Sequence, residues 1–361
     1  MSEEKRKVYI AGAHSRGRTL RVYLEYLYPE VEVVAFLVDD MSENAETADG
    51  LPVQLIGQGL HTEYPVYLGM RGANHEKVTD ELLEVGMHKI IPVTVELDRQ
   101  LRNEYVRRYA QNRGRLFFMI DELSARNKNM QEKTAGIYVA CSIYDKPLQD
   151  SYTFIKEELS LQVGAALTRE RISADAIPDY EGENISDRNK QFCELTGLYW
   201  IWKNACEDYV GLVHYRRHFL LPDNWLERMI GNRIDVLLPV PLYVAPNIAE
   251  NYKERHIASD WEYLMEYFKK KLSKEYEVAE QIFSGNLYYP CNMFIARKEV
   301  MDQLCEWMFP ILFAVAKHGG EKKDSYLNRY PGFISERLIT YFFESHMEKY
   351  RVAYANKNFL R

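Results

Sequence analysis

"GLVHYRRHFL", residues 211–220, starts as a buried strand, with Val210, Leu212 and Val213 following Tyr209, and then runs into His214, Tyr215, Arg216, Arg217 and His218. A strand-length apolar run that stops at charge is the pattern of a central strand in an open α/β sheet, and the carboxyl edge of such a sheet is where its chemistry is carried. Along a regular strand His214 and Arg216 share one face while Tyr215 and Arg217 share the other. Beyond the strand end that alternation need not hold. A guanidinium presents a planar donor fork that matches phosphate oxygens. The cluster therefore reads either as an anion site at a sheet edge or as an arginine pair tied into salt bridges.

The flanking sequence sets this strand in the second of two domains, since 361 residues exceed what one compact core holds. "KVYIAGA" at 7–13 and "VEVVAFLVDD" at 31–40 read as strands, with helical spacing of Leu20, Tyr23, Leu24 and Leu27 between them. "GLPVQLIG", "YPVYLGM", a polar helix near 74–86 and "HKIIPVT" continue the alternation. That order implies a parallel sheet with right-handed crossovers, a Rossmann-like domain over residues 1–120. Residues 121–135 lack an apolar period and read as a linker. A second α/β domain then covers 136–361, with "GIYVACSIYDKP" as its first strand, "RIDVLLPVP" at 233–241, an amphipathic helix near 259–272, "YYPCNMFIA" and two further helices.

Composition narrows the function. A net charge of −7 argues against nucleic-acid binding, which needs a basic footprint. Five cysteines, an odd count without a C-x-x-C pair, argue against zinc or a disulfide framework and fit a reducing cytoplasm. The first residues do not read as a signal peptide. "WMFPILFAVA" at 307–316 is about half the roughly 20 apolar residues a membrane span needs and reads as a buried helix. The 27 tyrosines suit sugar-binding surfaces as well as a tyrosine-rich core.

Four further clusters carry candidate chemistry. "GAHSRGR" at 12–18 joins a strand to a helix; Gly12 and Gly17 hold the outer positions of a dinucleotide loop, His14 replaces the middle glycine, and Asp39 could meet a ribose hydroxyl. A structural turn is the other reading of that loop, and an NAD-dependent enzyme would need the first. In "ENISDRNKQFCELTGLYWIWKN", 183–204, Ser186 reads as an N-cap, and Phe192, Leu195, Tyr199 and Trp202 form a core-facing stripe. Arg188, Asn189 and Lys190 fall in the first turn, where cations beside free backbone N–H groups suit a diphosphate; a solvated helix face is the alternative. Asn292 in "LYYPCNMFIARKEV" offers donor and acceptor to sugar hydroxyls, or forms a turn. In "YPGFISERLITYFF", Pro331-Gly332 marks a turn, Ser335 reads as a cap and Glu336 as a carboxylate at the helix start, either a general base or a capping acid.

Residues 7–92, through "GAHSRGR", "LVDD" and "GLPV", resemble the N-terminal domain of bacterial sugar-nucleotide acetyltransferases, whose loop contacts a nucleotide sugar. Residues 136–345 resemble a bacterial glycosyltransferase family of capsule and O-antigen gene clusters, long catalogued as a domain of unknown function. The resemblance rests on "NISDRNKQFCELTGLYWIWKN", "GLVHYRRHF", "NMFIARKEVMDQLCEWMFPILF" and "GFISERL" in that order. It implies a GT-A-like fold and transfer of a hexose from a nucleoside-diphosphate sugar to a surface glycan, a lipid-linked one. Where that family commonly shows Thr-His-Lys after the first strand, this chain has Cys141, Ser142 and Ile143. Arg216 and Arg217 then fall where metal-dependent relatives carry Asp-x-Asp, so that guanidinium charge, with Arg188 and Lys190, would stand in for a metal on the diphosphate. Asn189, His214 and Asn292 would touch sugars, Glu336 would be the base, and no metal or other cofactor is expected. "EYFKKKLSKEY" at 266–276 reads as a solvated helix face or as a contact to anionic lipid at the inner membrane face. A non-catalytic scaffold of the same pathway is the remaining alternative.

Overall fold

Parallel strand pairing organises both halves of the chain. The computed structural model describes residues 5–125 and 133–361 and divides into two units, Met1–Leu116 and Phe117–Arg361.

The first unit runs β1 (Arg6–Ala11), α1 (Ser15–Leu27), β2 (Val31–Val38), β3 (Thr47–Ala48), β4 (Leu51–Leu55), β5 (Val66–Leu68), α2 (His75–Glu84), β6 (Ile90–Pro92) and α3 (Val95–Gln111). Its sheet has the order β3-β4-β2-β1-β5-β6, all parallel except β3. The parallel strands thus follow the Rossmann order, with the switch between β1 and β5. Gly12 has φ +105, and a Cβ on Gly17 would lie 1.9 Å from the Gly12 carbonyl oxygen. These glycines let α1 close onto the end of β1, which accounts for them by packing. Asp39 ends β2 beside Lys77, 2.6 Å away, and this hydrogen-bonded cation lowers its carboxyl pKa. His14 is exposed at the start of α1.

The second unit runs β7 (Ala135–Cys141), β8 (Glu158–Gln162), β9 (Ile177–Pro178), α4 (Asn189–Phe192), α5 (Leu195–Asn204), β10 (Tyr209–His214), α6 (Trp225–Gly231), β11 (Val236–Pro239), β12 (Leu242–Tyr243), α7 (Ile248–Arg255), α8 (Ala258–Lys271), α9 (Tyr276–Phe283), β13 (Leu287–Tyr288), β14 (Phe294–Arg297), α10 (Lys298–Gly319), α11 (Tyr330–Ser345) and β15 (Val352–Ala355). The main sheet has the order β15-β11-β14-β10-β7-β8-β9. β10 lies at its centre, parallel to β7, antiparallel to β14 and buried throughout. A Cβ on Gly211 would come within 2.7 Å of the Ile295 side chain, so the glycine permits the tight β10–β14 approach. Val139, Val213, Trp225, Leu237 and Ile295 share one core. The aromatic stripe packs as its spacing predicts: Phe192 and Leu195 are buried, and Tyr199 and Trp202 lie 5.0 and 5.6 Å from the Phe309 ring of α10.

The boundary between units differs from the sequence reading. Met119 bridges to Tyr354, the Ile120 N–H donates to the Tyr354 carbonyl at 2.9 Å, and Ile120 and Leu123 enter the second core. The apolar run 117–120 can be buried only by that sheet. Of the expected linker 121–135, residues 126–132 lie outside the described residues, and Ala135 already belongs to β7. Among the described residues no helix is long and apolar enough to cross a membrane.

Candidate active site

β10 ends in a reversal. The His214 N–H donates to the Arg217 carbonyl at 3.0 Å and the Arg217 N–H to the His214 carbonyl at 2.9 Å, which closes a four-residue turn. Strand alternation therefore stops at His214, and both arginines leave from the turn. Residues 356–360 run beside it: the Leu220 N–H donates to Asn356, the Asn358 N–H to His218 and the Leu360 N–H to Arg216, at 2.8, 3.0 and 2.8 Å. This brings the Phe359 ring, 55% exposed, to 5.6 Å from the Arg216 guanidinium and 5.2 Å from that of Arg217. Among the described residues neither guanidinium has an ion pair or a hydrogen bond, and the Arg216 Nε is buried without a partner. Among the described residues no carboxylate lies within ion-pair distance of either guanidinium, although the Arg216 charge is felt at Asp145. His218 departs from the cluster: it is buried, 2.7 Å from Glu158 and stacked on Tyr152.

Asp145, in the loop after β7, accepts the Ser142 N–H at 2.6 Å. Burial pushes its carboxyl up to about 6, against the pull of that N–H and of the Arg216 charge. The folded pKa lies above the ordinary value of 3.8, so the folded chain keeps a proton that the unfolded chain has lost. The associated stability is fully present below the ordinary value and is lost as pH rises to about 6. Asp145→Asn should remove that loss and be more stable than the parent by about 1–2 kcal/mol at neutral pH. Denaturant unfolding at acid and neutral pH checks this; an equal difference at both contradicts it.

Two carboxylates interact through their charge with residues of the turn, Glu336 with Arg217 and Glu194 with His214. Glu336 stands in the second turn of α11, not at its start, because Pro331 already opens the helix; Ser335 is interior and donates to Asn292 Oδ1 at 2.7 Å rather than capping. Glu336 Oε1 accepts the Cys291 N–H at 2.5 Å and Oε2 accepts from Arg337 Nη1 at 2.7 Å. Burial raises its pKa, opposed by Arg337 and the Cys291 N–H; the charge on Glu194 adds to the rise and Arg217 opposes it. Glu194 accepts from Asn292 Nδ2 at 2.9 Å and lies 3.9 Å from Arg329. His214 Nε2 is 2.5 Å from the Cys291 carbonyl, which can only accept, so that nitrogen carries the proton. Burial lowers the pKa of His214, against the charge of Glu194. His214 is thereby a buried strut between β10 and the 291 loop.

Asn292 is not free for a sugar. It adopts φ +52 after Cys291 at φ +75, and its amide also donates to the Gly332 carbonyl at 3.0 Å. With Glu194 and Ser335 this uses both ends of the side chain and fastens α11 to the loop before β14. Asn292→Ala should destabilise by about 1–3 kcal/mol, since it strands buried partners and keeps the left-handed backbone. Chemical denaturation checks this, and a change below about 0.5 kcal/mol contradicts it.

The Arg188–Lys190 segment also differs from expectation. Ser186 does not cap a helix; it donates to the buried Asp179 and accepts the Ala166 N–H at 3.0 Å. α4 has only four residues before Cys193 breaks it at φ +47. Asn189 donates to the Cys193 carbonyl and to Thr196, at 2.8 and 3.0 Å. Arg188 lies 4.4 Å from the Phe192 ring and 4.9 Å from Phe313, and Lys190 is exposed. No hydrogen bond, ion pair or ring contact joins these three to the Arg216–Arg217 turn among the described residues. Glu194, Arg329, Asp145 and Phe359 carry no sequence signal of comparable strength. Asp145 alone was within reach, as an acid just past a parallel strand.

A central strand flanked by parallel β7 and antiparallel β14, with charged groups at its exit, belongs to an α/β fold of the kind seen in a glycosyltransferase. The chain is similar to the apo structure of the bifunctional glycosyltransferase WbbM, with TM-score 0.55 and 26% identity over 63% of this chain and 45% of that one. The match thus spans less than half of that protein. Residues 136–348 match the family described as Domain of unknown function (DUF4422), and the chain belongs to that family. No curated protein matches the chain.

Proposed function

We propose that the protein is a glycosyltransferase that moves a hexose from a nucleoside-diphosphate sugar to a surface polysaccharide of the capsule or O-antigen type, on a lipid-linked acceptor at the cytoplasmic membrane face. The observation that carries this reading is the pair of guanidiniums at the exit of β10, without an ion pair among the described residues, with the charges of Arg217 and Glu194 both acting on the half-buried Glu336, in a chain similar to a glycosyltransferase. In the reaction the acceptor oxygen bonds to the anomeric carbon as its proton passes to Glu336. The bond from that carbon to the diphosphate breaks, and the electron pair leaves on the phosphate, where Arg216 and Arg217 stabilise it. The positive charge of the two arginines would repel a divalent cation here. No step is therefore assigned to a metal. For the first unit we infer a nucleotide-sugar contact near Gly12, Gly17 and His14, a reading that the Rossmann strand order supports.

Thermal shift with UDP-, GDP-, TDP- and CMP-sugars in EDTA tests the main reading, because a ligand bound only by the folded chain raises its stability. At least one diphosphate donor should stabilise the chain. Response to none overturns the proposal, and a strict need for manganese overturns the role given to the arginines.

A further inference from the structure

Tyr326 is 52% exposed, just before the short turn Leu327–Arg329 that leads into α11. Its ring lies 5.1 Å from Phe333, and Phe333 in turn stacks on His256 at 4.0 Å and 16°. Burial pushes the His256 imidazole down to about 4, so the three rings form an uncharged shelf at neutral pH. Two links tie this shelf to the carboxylates. Phe333 and Glu336 are three residues apart on α11 and share a helix face. Arg329, its guanidinium 6.0 Å from the Phe333 ring, reaches Cys193 Sγ at 3.1 Å and Glu194 at 3.9 Å.

We propose that Tyr326, backed by Phe333 and His256, is the platform on which the pyranose ring of the acceptor stacks; this rests on the transferase reading and names the acceptor side of the same site. A pyranose has an apolar face of axial C–H bonds and a rim of hydroxyls. Stacking that face on an exposed ring removes both from water. Glu336 lies one helix turn beyond Phe333, and Arg329, beside the Phe333 ring, can donate to a rim hydroxyl. Arg329 already faces Glu194, so the rim is close to neutral, which favours an uncharged hexose over an acidic one.

Saturation-transfer NMR on the full chain, with methyl α- and β-hexopyranosides as probes, tests the platform. The C–H face of at least one probe should be saturated. Tyr326→Ala should weaken its affinity about 3–10-fold, while Tyr326→Phe and Tyr326→Trp retain it. In the transfer assay the same alanine variant should raise the acceptor KM more than it lowers kcat. Binding unchanged in Tyr326→Ala, no saturation of any probe, or an equal loss in Tyr326→Phe overturns the platform. Failure of the transferase reading is separately visible, as absence of any nucleoside-diphosphate-sugar binding or hydrolysis by the parent chain while hexopyranoside binding still depends on Tyr326.

Discussion

Replacing both Arg216 and Arg217 by alanine is expected to lower donor kcat/KM by about 10³-fold or more, and Arg217→Ala alone by about 10²-fold. Charge develops on the departing diphosphate, and donors already aimed at it act where water is scarce. Arg217→Lys should fall between, because lysine keeps the charge but loses the planar fork. Stability should separate this effect from damage to the fold. Among the described residues neither guanidinium holds an ion pair or hydrogen bond, only ring contacts, so the variants should unfold within about 1 kcal/mol of the parent. Donor titration and denaturant unfolding of the same samples make the comparison. Donor affinity unchanged in the double variant removes the pair from the site. Phe359→Ala should give a weaker form of the same defect, since that ring lies beside both guanidiniums.

Glu336→Gln is the second large effect, with turnover reduced by about 10²–10⁴-fold and donor affinity little altered. Glutamine keeps the shape and can still accept from the Cys291 N–H, but it cannot take a proton. The pH dependence carries its own signature. A general base works only when ionised, so activity should fall as pH drops through the pKa of Glu336. Burial raises that pKa above the ordinary 4.5, so the acid limb should lie at higher pH than for an exposed glutamate. The residual activity of Glu336→Gln should lack that limb. Wild-type turnover in the variant, or an unmoved limb, would assign the proton to another group, with Glu194 the nearest carboxylate in charge terms.

Much of the architecture was legible without coordinates. The alternation of strands and helices, the two α/β units and β10 as a buried central strand follow from hydrophobic periodicity, a local property that tertiary contacts reinforce. The aromatic stripe from Phe192 to Trp202 was legible for the same reason. The site was legible only in part. Arg216 and Arg217 stood out because their charge directly follows an apolar strand; the turn they occupy and the Phe359 ring beside them did not. Ser186 and Ser335 misled, because cap residues look alike in sequence whether they face water or a buried partner, while Asn292 takes the turn conformation that was one of its two readings. Asp179 holds Ser186 from seven residues away, and Asn292 holds Ser335 from 43 residues away.

Sequence alone determined where the strands and helices lie, which strand is central and that it ends in cations, because each depends on neighbours within a few residues. Only the tertiary structure decided which polar groups remain open to a ligand. Glu194 meets Asn292 across 98 positions, and the segment through Phe359 returns to β10 from far along the chain. Whether a side chain binds a ligand or braces the fold depends on what packing leaves unpaired, and packing is a property of the whole chain.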